Sequence, residues 1–141
     1  MNTEDQNKAV VKRLIDEAFN NRNLDLLPEL LDDDFVNHQD LLPVNTKKGP
    51  GVFVELYTKM FECFPDIKID NHMLLSDGDK VIMFDTLRGT NTGPMPDGSP
   101  PSGKKVEYEA FNILRLKDGK VVERWGLTDQ MTLLKQLGMI D

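Results

Sequence analysis

The chain reads as an α+β protein in which helices come first and a mostly antiparallel sheet follows. Apolar residues recur at helical spacing in the segments ahead of Pro65. Beyond it, β-rich segments come in two pairs, each joined by a short Asp-Gly turn, Ser76-Asp77-Gly78-Asp79 and Lys117-Asp118-Gly119-Lys120. Helices gathered ahead of such strands predict a sheet curled around amphipathic helices. A concave sheet leaves a pocket.

Each element has its own signal. Thr3 with Gln6 makes a capping box, and Val10, Val11, Leu14, Ile15, Ala18 and Phe19 continue behind it at helical spacing. Asn20-Asn21-Arg22-Asn23 breaks this helix. Leu24 to Leu31 reads as a short second helix with Asp25 as cap and Pro28 in its first turn. Asp32-Asp33-Asp34 leads into Phe35-Val36-Asn37-His38, a short strand or irregular turn. Pro43 to Gly51 is a loop. Val52, Phe53, Leu56, Tyr57, Met60, Phe61 and Phe64 mark a third helix that Pro65 ends. Strands are predicted over Ile67 to Leu75, Val81 to Thr90, Lys104 to Leu116 and Val121 to Thr128, with a last helix from Asp129 to Gly138. Asn91 to Gly103, rich in proline and glycine, cannot continue a ladder and reads as an exposed or lid-like connection.

At 141 residues and 16.0 kDa the chain is expected to form one domain, able to bury roughly two-thirds of its unfolded surface. The single cysteine, Cys63, excludes an internal disulfide and reads as a buried, inert thiol. A polar, acidic amino terminus and the lack of any long apolar run point to a cytoplasmic protein without a membrane span. The net charge of -7 opposes a nucleic-acid partner, because phosphate contacts need clustered Lys and Arg. Two histidines and one cysteine offer no credible metal-ligand set. Neither a phosphate loop nor a nucleophile elbow is present, which disfavours nucleotide and acyl-enzyme chemistry.

Asp129 is the first candidate for chemistry. Trp125 and Asp129 share strand parity, so the carboxylate could stand against the indole in a pocket, where desolvation would raise its pKa and make it a general acid/base. Equally, Asp is a preferred N-cap and Asp129 stands directly before Gln130-Met131-Thr132, whose N–H groups would lower its pKa. His38 suits proton transfer or the orientation of a carbonyl, or is a packed structural residue. His72 has no companion. On the strand from Val106 to Leu116, Tyr108, Ala110, Asn112 and Leu114 face one side and Glu107, Glu109, Phe111, Ile113 and Arg115 the other, and neither side is fully apolar. This suits a sheet whose two faces are a homodimer contact and a pocket wall, and solvated edges give the same pattern.

Arg88-Gly89-Thr90-Asn91-Thr92-Gly93, Pro100-Pro101-Ser102-Gly103-Lys104-Lys105-Val106, Arg115-Leu116-Lys117-Asp118-Gly119-Lys120-Val121-Val122-Glu123-Arg124-Trp125, Asp129 and Gln136-Leu137-Gly138 follow one another in an order and spacing that resemble the SnoaL-like polyketide cyclases and predicted ester cyclases. The resemblance implies the nuclear transport factor 2-like fold, a cone-shaped barrel with N-terminal helices packed on a strongly curved sheet. It implies that Asp129 acts as general acid/base in a cofactor-free intramolecular aldol closure. His38 and Asn91 would then hydrogen-bond the developing enolate oxygen. Phe35, Phe53, Tyr57, Phe111 and Trp125 are the expected walls of a pocket for a hydrophobic carbonyl ligand. Asn91 departs from the His that many relatives carry there, and an amide cannot deliver a proton. The rival readings are a non-catalytic binding module of the same fold, and another cofactor-free isomerase or hydrolase.

Overall fold

In the computed structural model, which describes residues 2–39 and 42–141, α1 (Thr3–Arg13) is capped by Asn2, whose Oδ1 accepts the N–H of Asp5 at 2.8 Å. The expected cap Thr3 is instead the first helical residue, because an Asn one position earlier already satisfies the orphan N–H. Acidic Glu4 and Asp5 in the first turn and basic Lys12 and Arg13 in the last complement the helix dipole. The helix then widens into a π-helical stretch, Leu14–Asn20, where Asn21 donates its N–H to the Asp16 carbonyl at 3.1 Å. A 3-10 turn, Leu24–Leu26, leads into α2 (Leu27–Leu30), with Pro28 in the first turn as expected. No side chain caps either of these, so Asp25 is not the cap the sequence suggested.

β1 (Leu31–Asn37) begins at Leu31, ahead of the acidic run Asp32-Asp33-Asp34, rather than at Phe35. It pairs in parallel with the last strand and closes one edge of the sheet. Asp33 and Asp34 are exposed on that edge, where charge discourages pairing with another chain. α3 (Gly51–Cys63) follows, and its loop is tied by Glu55, which accepts the N–H groups of Asn45 and Thr46 and the Thr46 hydroxyl. Those three donors hold the Glu55 carboxyl down at about 2.

β2 (Lys68–Asp77), β3 (Lys80–Thr90), β4 (Lys105–Lys117) and β5 (Lys120–Thr128) are antiparallel neighbours, and α4 (Gln130–Gln136) completes the chain. The sheet order is β1-β5-β4-β3-β2. β4 alternates without exception from Val106 to Leu114: Val106, Tyr108, Ala110, Asn112 and Leu114 are buried, and Glu107, Glu109, Phe111 and Ile113 are exposed. The concave face therefore carries Tyr108 and Asn112, and the helices pack into it through Val11, Leu14, Phe19, Phe53 and Leu56. Register stacks Leu87 against Tyr108, Asp85 against Ala110 and Thr128, and Met83 against Asn112 and Gly126.

Asn91 fixes the base of the connection between β3 and β4. Its Nδ2 donates to the carbonyls of Cys63 and Gly93, each at 3.0 Å, and its Oδ1 accepts the N–H and hydroxyl of Ser102 at 2.8 and 2.9 Å. The side chain is wholly buried and its bonding capacity is spent on backbone and loop. Gly93 lies so close to the end of α3 that a Cβ there would stand 1.6 Å from the Glu62 carbonyl oxygen. Only glycine lets the loop dock at that point.

Candidate functional site

A buried carboxylate lies on the concave face. Asp85 belongs to Val81-Ile82-Met83-Phe84-Asp85-Thr86-Leu87, and by strand parity it points the same way as Val81, Met83 and Leu87, all buried. It is 1% exposed. A bulge in β2 serves it: the register shifts between Asn71 and Met73, leaving His72 as the extra residue, and Asn71 Nδ2 donates to Asp85 Oδ1 at 2.8 Å. Among the described residues, Asp85 Oδ2 and the Tyr108 hydroxyl are the buried side-chain oxygens and nitrogens with no hydrogen-bond partner. Burial pushes the Asp85 carboxyl up to about 6, opposed by the Asn71 hydrogen bond and by the charges of His72 and Arg124.

Asp85 borders a cavity of about 70 Å³ shared with Phe19, Phe53, Tyr57, Asn112 and Arg124. Arg124 reaches it from β5. Its Nη1 donates to Asn37 Oδ1 at 2.8 Å and to the Gln39 carbonyl at 2.9 Å, and its Nη2 donates to Asn112 Oδ1 at 2.6 Å. Gly126 makes this possible, because a Cβ there would stand 2.5 Å from Arg124 Nη2 and 2.6 Å from Asn112 Oδ1. The cavity thus holds a carboxylate biased towards neutrality and a guanidinium fixed on the opposite side of β4. Tyr57, also on its wall, has its phenol pKa raised by burial, so it stays a neutral donor.

A second chamber, about 460 Å³ and mostly apolar, lies towards α4 and the β3–β4 connection, among Cys63, Met95, Leu133, Leu134 and Leu137. Met60 and Tyr108 border both chambers. Cys63 is a buried thiol raised in pKa by desolvation, an inert wall residue as expected.

Of the residues the sequence nominated, Phe53 and Tyr57 line the inner cavity. Phe35 packs edge-on to Phe53, ring centres 4.9 Å apart, wholly buried behind the wall rather than on it. Trp125 and Phe111 sit on the convex face, since Gly126 and Thr128 take the inward parity of β5 and Ala110 and Asn112 that of β4. Phe111 is 52% exposed and stacks on Phe84 at 4.5 Å. His38 is likewise outside: its Nε2 stands 2.8 Å from Glu123 Oε2 and its ring stacks on Trp125 at 5.0 Å, fastening β1 to β5. Asn91 is the loop clasp described above and does not face a ligand.

Asp129 takes the capping alternative. It is exposed, accepts the Thr132 N–H at 3.1 Å and the Thr132 hydroxyl at 2.6 Å, and these bonds lower its pKa. The expectation of a dry Asp129 against Trp125 is therefore corrected, because Asp129 is the exposed N-cap of α4 and Trp125 takes the convex parity of β5. Asp85, Arg124, Asn112 and Tyr108 are what the sequence reading missed as site residues. The available signal was a lone carboxylate on the apolar parity of a strand.

Among the described residues no group of three or more His, Cys, Asp and Glu stands close enough together to hold a metal ion. No helix among them is long and apolar enough to cross a membrane.

With this geometry in hand, a sequence profile of the SnoaL-like polyketide cyclases matches residues 9–137. IdmH from Streptomyces antibioticus, a candidate polyketide cyclase, is 30% identical with a TM-score of 0.79 over 94% of this chain and 99% of that one. A candidate SnoaL-like polyketide cyclase from Jannaschia sp. CCS1 is 26% identical, TM-score 0.83, over 100% and 97%. AclR from Streptomyces galilaeus, a candidate hydroxylase, shares the fold at 24% identity, TM-score 0.83, over 99% and 100%. No curated protein matches the sequence.

The raised Asp85 carboxyl has a thermodynamic signature. The folded protein keeps this proton up to about pH 6, whereas the unfolded chain releases it near the ordinary value of about 3.9. Between those limits the native state binds more protons, so stability falls as pH rises, and the cost is complete above the folded value. Asp85→Asn should therefore be more stable than the parent by about 2–3 kcal/mol at pH 8, with the difference vanishing below pH 4. Denaturant unfolding at both pH values checks this. A difference independent of pH would contradict it.

Proposed function

The chain belongs to the SnoaL-like polyketide cyclase family, and on that premise we propose that it catalyses cofactor-free proton transfer α to a carbonyl, the step that opens an intramolecular aldol cyclisation, with Asp85 as the base. One observation carries the reading: a buried carboxylate with one oxygen bonded to Asn71 and the other bare, on a cavity that also holds a guanidinium. A base tuned to about 6 is ionised at neutral pH yet basic enough to accept a proton in a desolvated site.

In this scheme Asp85 Oδ2 takes the α proton and the C–H electron pair becomes an enolate. Arg124, held rigid by Asn37 and Asn112, stabilises the negative oxygen, and preorganised charge of this kind is commonly the largest catalytic contribution. The enolate carbon then attacks a second carbonyl of the same molecule. Asp85 returns its proton to the resulting alkoxide, so no cofactor is consumed. Asn71 acts as a positioning residue that leaves Oδ2 as the reactive oxygen. We place the reaction in the cytoplasm, where the single thiol remains reduced.

The functional protein is proposed to be a homodimer formed through the convex face of the sheet. That face presents Phe111, Ile113 and Leu127, and nearby Met73 and Leu75 are also exposed. Sedimentation at micromolar concentration should find a dimer, and a monomer alone would contradict this.

The rival is a binding module that holds a carbonyl compound without turning it over, and the capping role of Asp129 favours it insofar as the resemblance assigned catalysis to that residue. Parallel substitutions separate the readings. Asp85→Asn should fold and lose roughly 10²–10⁴-fold in rate, while Asp129→Asn, still a good cap, should keep the parent rate. Loss of activity in Asp129→Asn with retention in Asp85→Asn would reverse the assignment, and no turnover by the parent of any carbonyl substrate it binds would favour the module.

A further inference from the structure

The inner cavity is too small for a cyclisation substrate, at about 70 Å³ against the roughly 300–1,000 Å³ of small-molecule sites. The outer chamber, at about 460 Å³, falls within that range but contains, among the described residues, no pair of groups able to move an α proton. Among the described residues its one carboxylate is Asp97, which is exposed and accepts the N–H of Ser99. Each chamber lacks what the other has.

Met60 from α3 and Tyr108 from β4 border both. Tyr108 lies two residues along β4 from Ala110, the register partner of Asp85, a step of roughly 7 Å along a strand. Met60 is unbranched and adapts its rotamer at low cost. Tyr108 is 2% exposed and its hydroxyl has no partner, an unfavourable state that a ligand oxygen or water would relieve. A polar group left bare between the chamber that holds Asp85 and Arg124 and the apolar outer one fits a substrate that passes it.

We infer that the two chambers form one substrate channel, in which a carbonyl head lies at Asp85 and Arg124, a neighbouring oxygen of the substrate accepts from the Tyr108 hydroxyl as Met60 swings aside, and an extended apolar remainder fills the outer chamber under α4 and the Asn91-clasped loop. The inference rests on the acid–base reading of Asp85 and narrows it. The substrate is a long, largely apolar carbonyl compound bearing more than one oxygen, and short carbonyl compounds are poor ligands because they leave the outer chamber empty.

The test uses methyl ketones of increasing length, from butan-2-one to dodecan-2-one, with binding by calorimetry and exchange of their α protons in D₂O by NMR. Affinity should climb roughly threefold to fourfold per added methylene, the transfer free energy of a buried CH₂, until the chamber is full. Leu134→Trp, which fills the outer chamber from α4, should flatten that climb. An affinity independent of chain length in the parent protein would overturn the inference, and this arm needs no variant to fold. A climb that Leu134→Trp leaves unchanged, in a variant with a native melting transition, would also overturn it. Exchange distinguishes failure of the premise: the parent should accelerate α-proton exchange of bound ketones and Asp85→Asn should not. A full climb in affinity with no exchange by the parent would sink the acid–base reading while leaving the chamber as a lipophilic binding site.

Discussion

A carboxylate that is 1% exposed, with one oxygen bonded and the other bare, is costly in a barrel of apolar side chains, and much of the surrounding architecture compensates that cost without removing it. The bulge in β2 brings the Asn71 amide over the edge of the sheet to one oxygen. Arg124 supplies charge from across β4, held at a distance by Asn37, Gln39 and Asn112 instead of closing onto Asp85 as an ion pair. A direct buried ion pair would hold Asp85 at low pKa and make it a poor base. Partial satisfaction keeps it near neutrality.

The same logic explains where glycine and asparagine are spent. Gly126 yields the space its side chain would occupy to the Arg124 guanidinium, and Gly93 lets the β3–β4 connection dock on the end of α3. Asn91 joins the end of α3 to both arms of the β3–β4 connection, at Gly93 and Ser102, through four side-chain bonds, so the roof of the outer chamber is anchored at its root. A histidine there would lack the paired donor and acceptor geometry of the amide.

Element order and the concave sheet were legible in the sequence because period and turn chemistry are local: Asp-Gly turns, Pro65 and the alternation of β4 need no tertiary information. β1 was blurred because Asp32, Asp33 and Asp34 mask its apolar period, and its parallel pairing with β5 is a long-range event. Parity gave the two faces of the late strands, but it could not tell the concave face from the convex one. That choice is made by helix packing, and it put Trp125, Phe111 and His38 outside. Asp85 was readable in principle as a charge on the inward parity of an apolar strand, yet only its neighbours Asn71 and Arg124, 14 residues before and 39 after it in sequence, turn that oddity into a site.

The most direct measurement is the titration of the Asp85 side-chain carboxyl itself, followed by carbon-13 NMR with Asp85→Asn used to assign the resonance. A midpoint near 6, unaccompanied by unfolding, is what a desolvated base with one free oxygen requires. A midpoint at or below the ordinary aspartate value of about 3.9 would mean that the carboxylate is solvated or ion-paired, and would contradict the account at its centre.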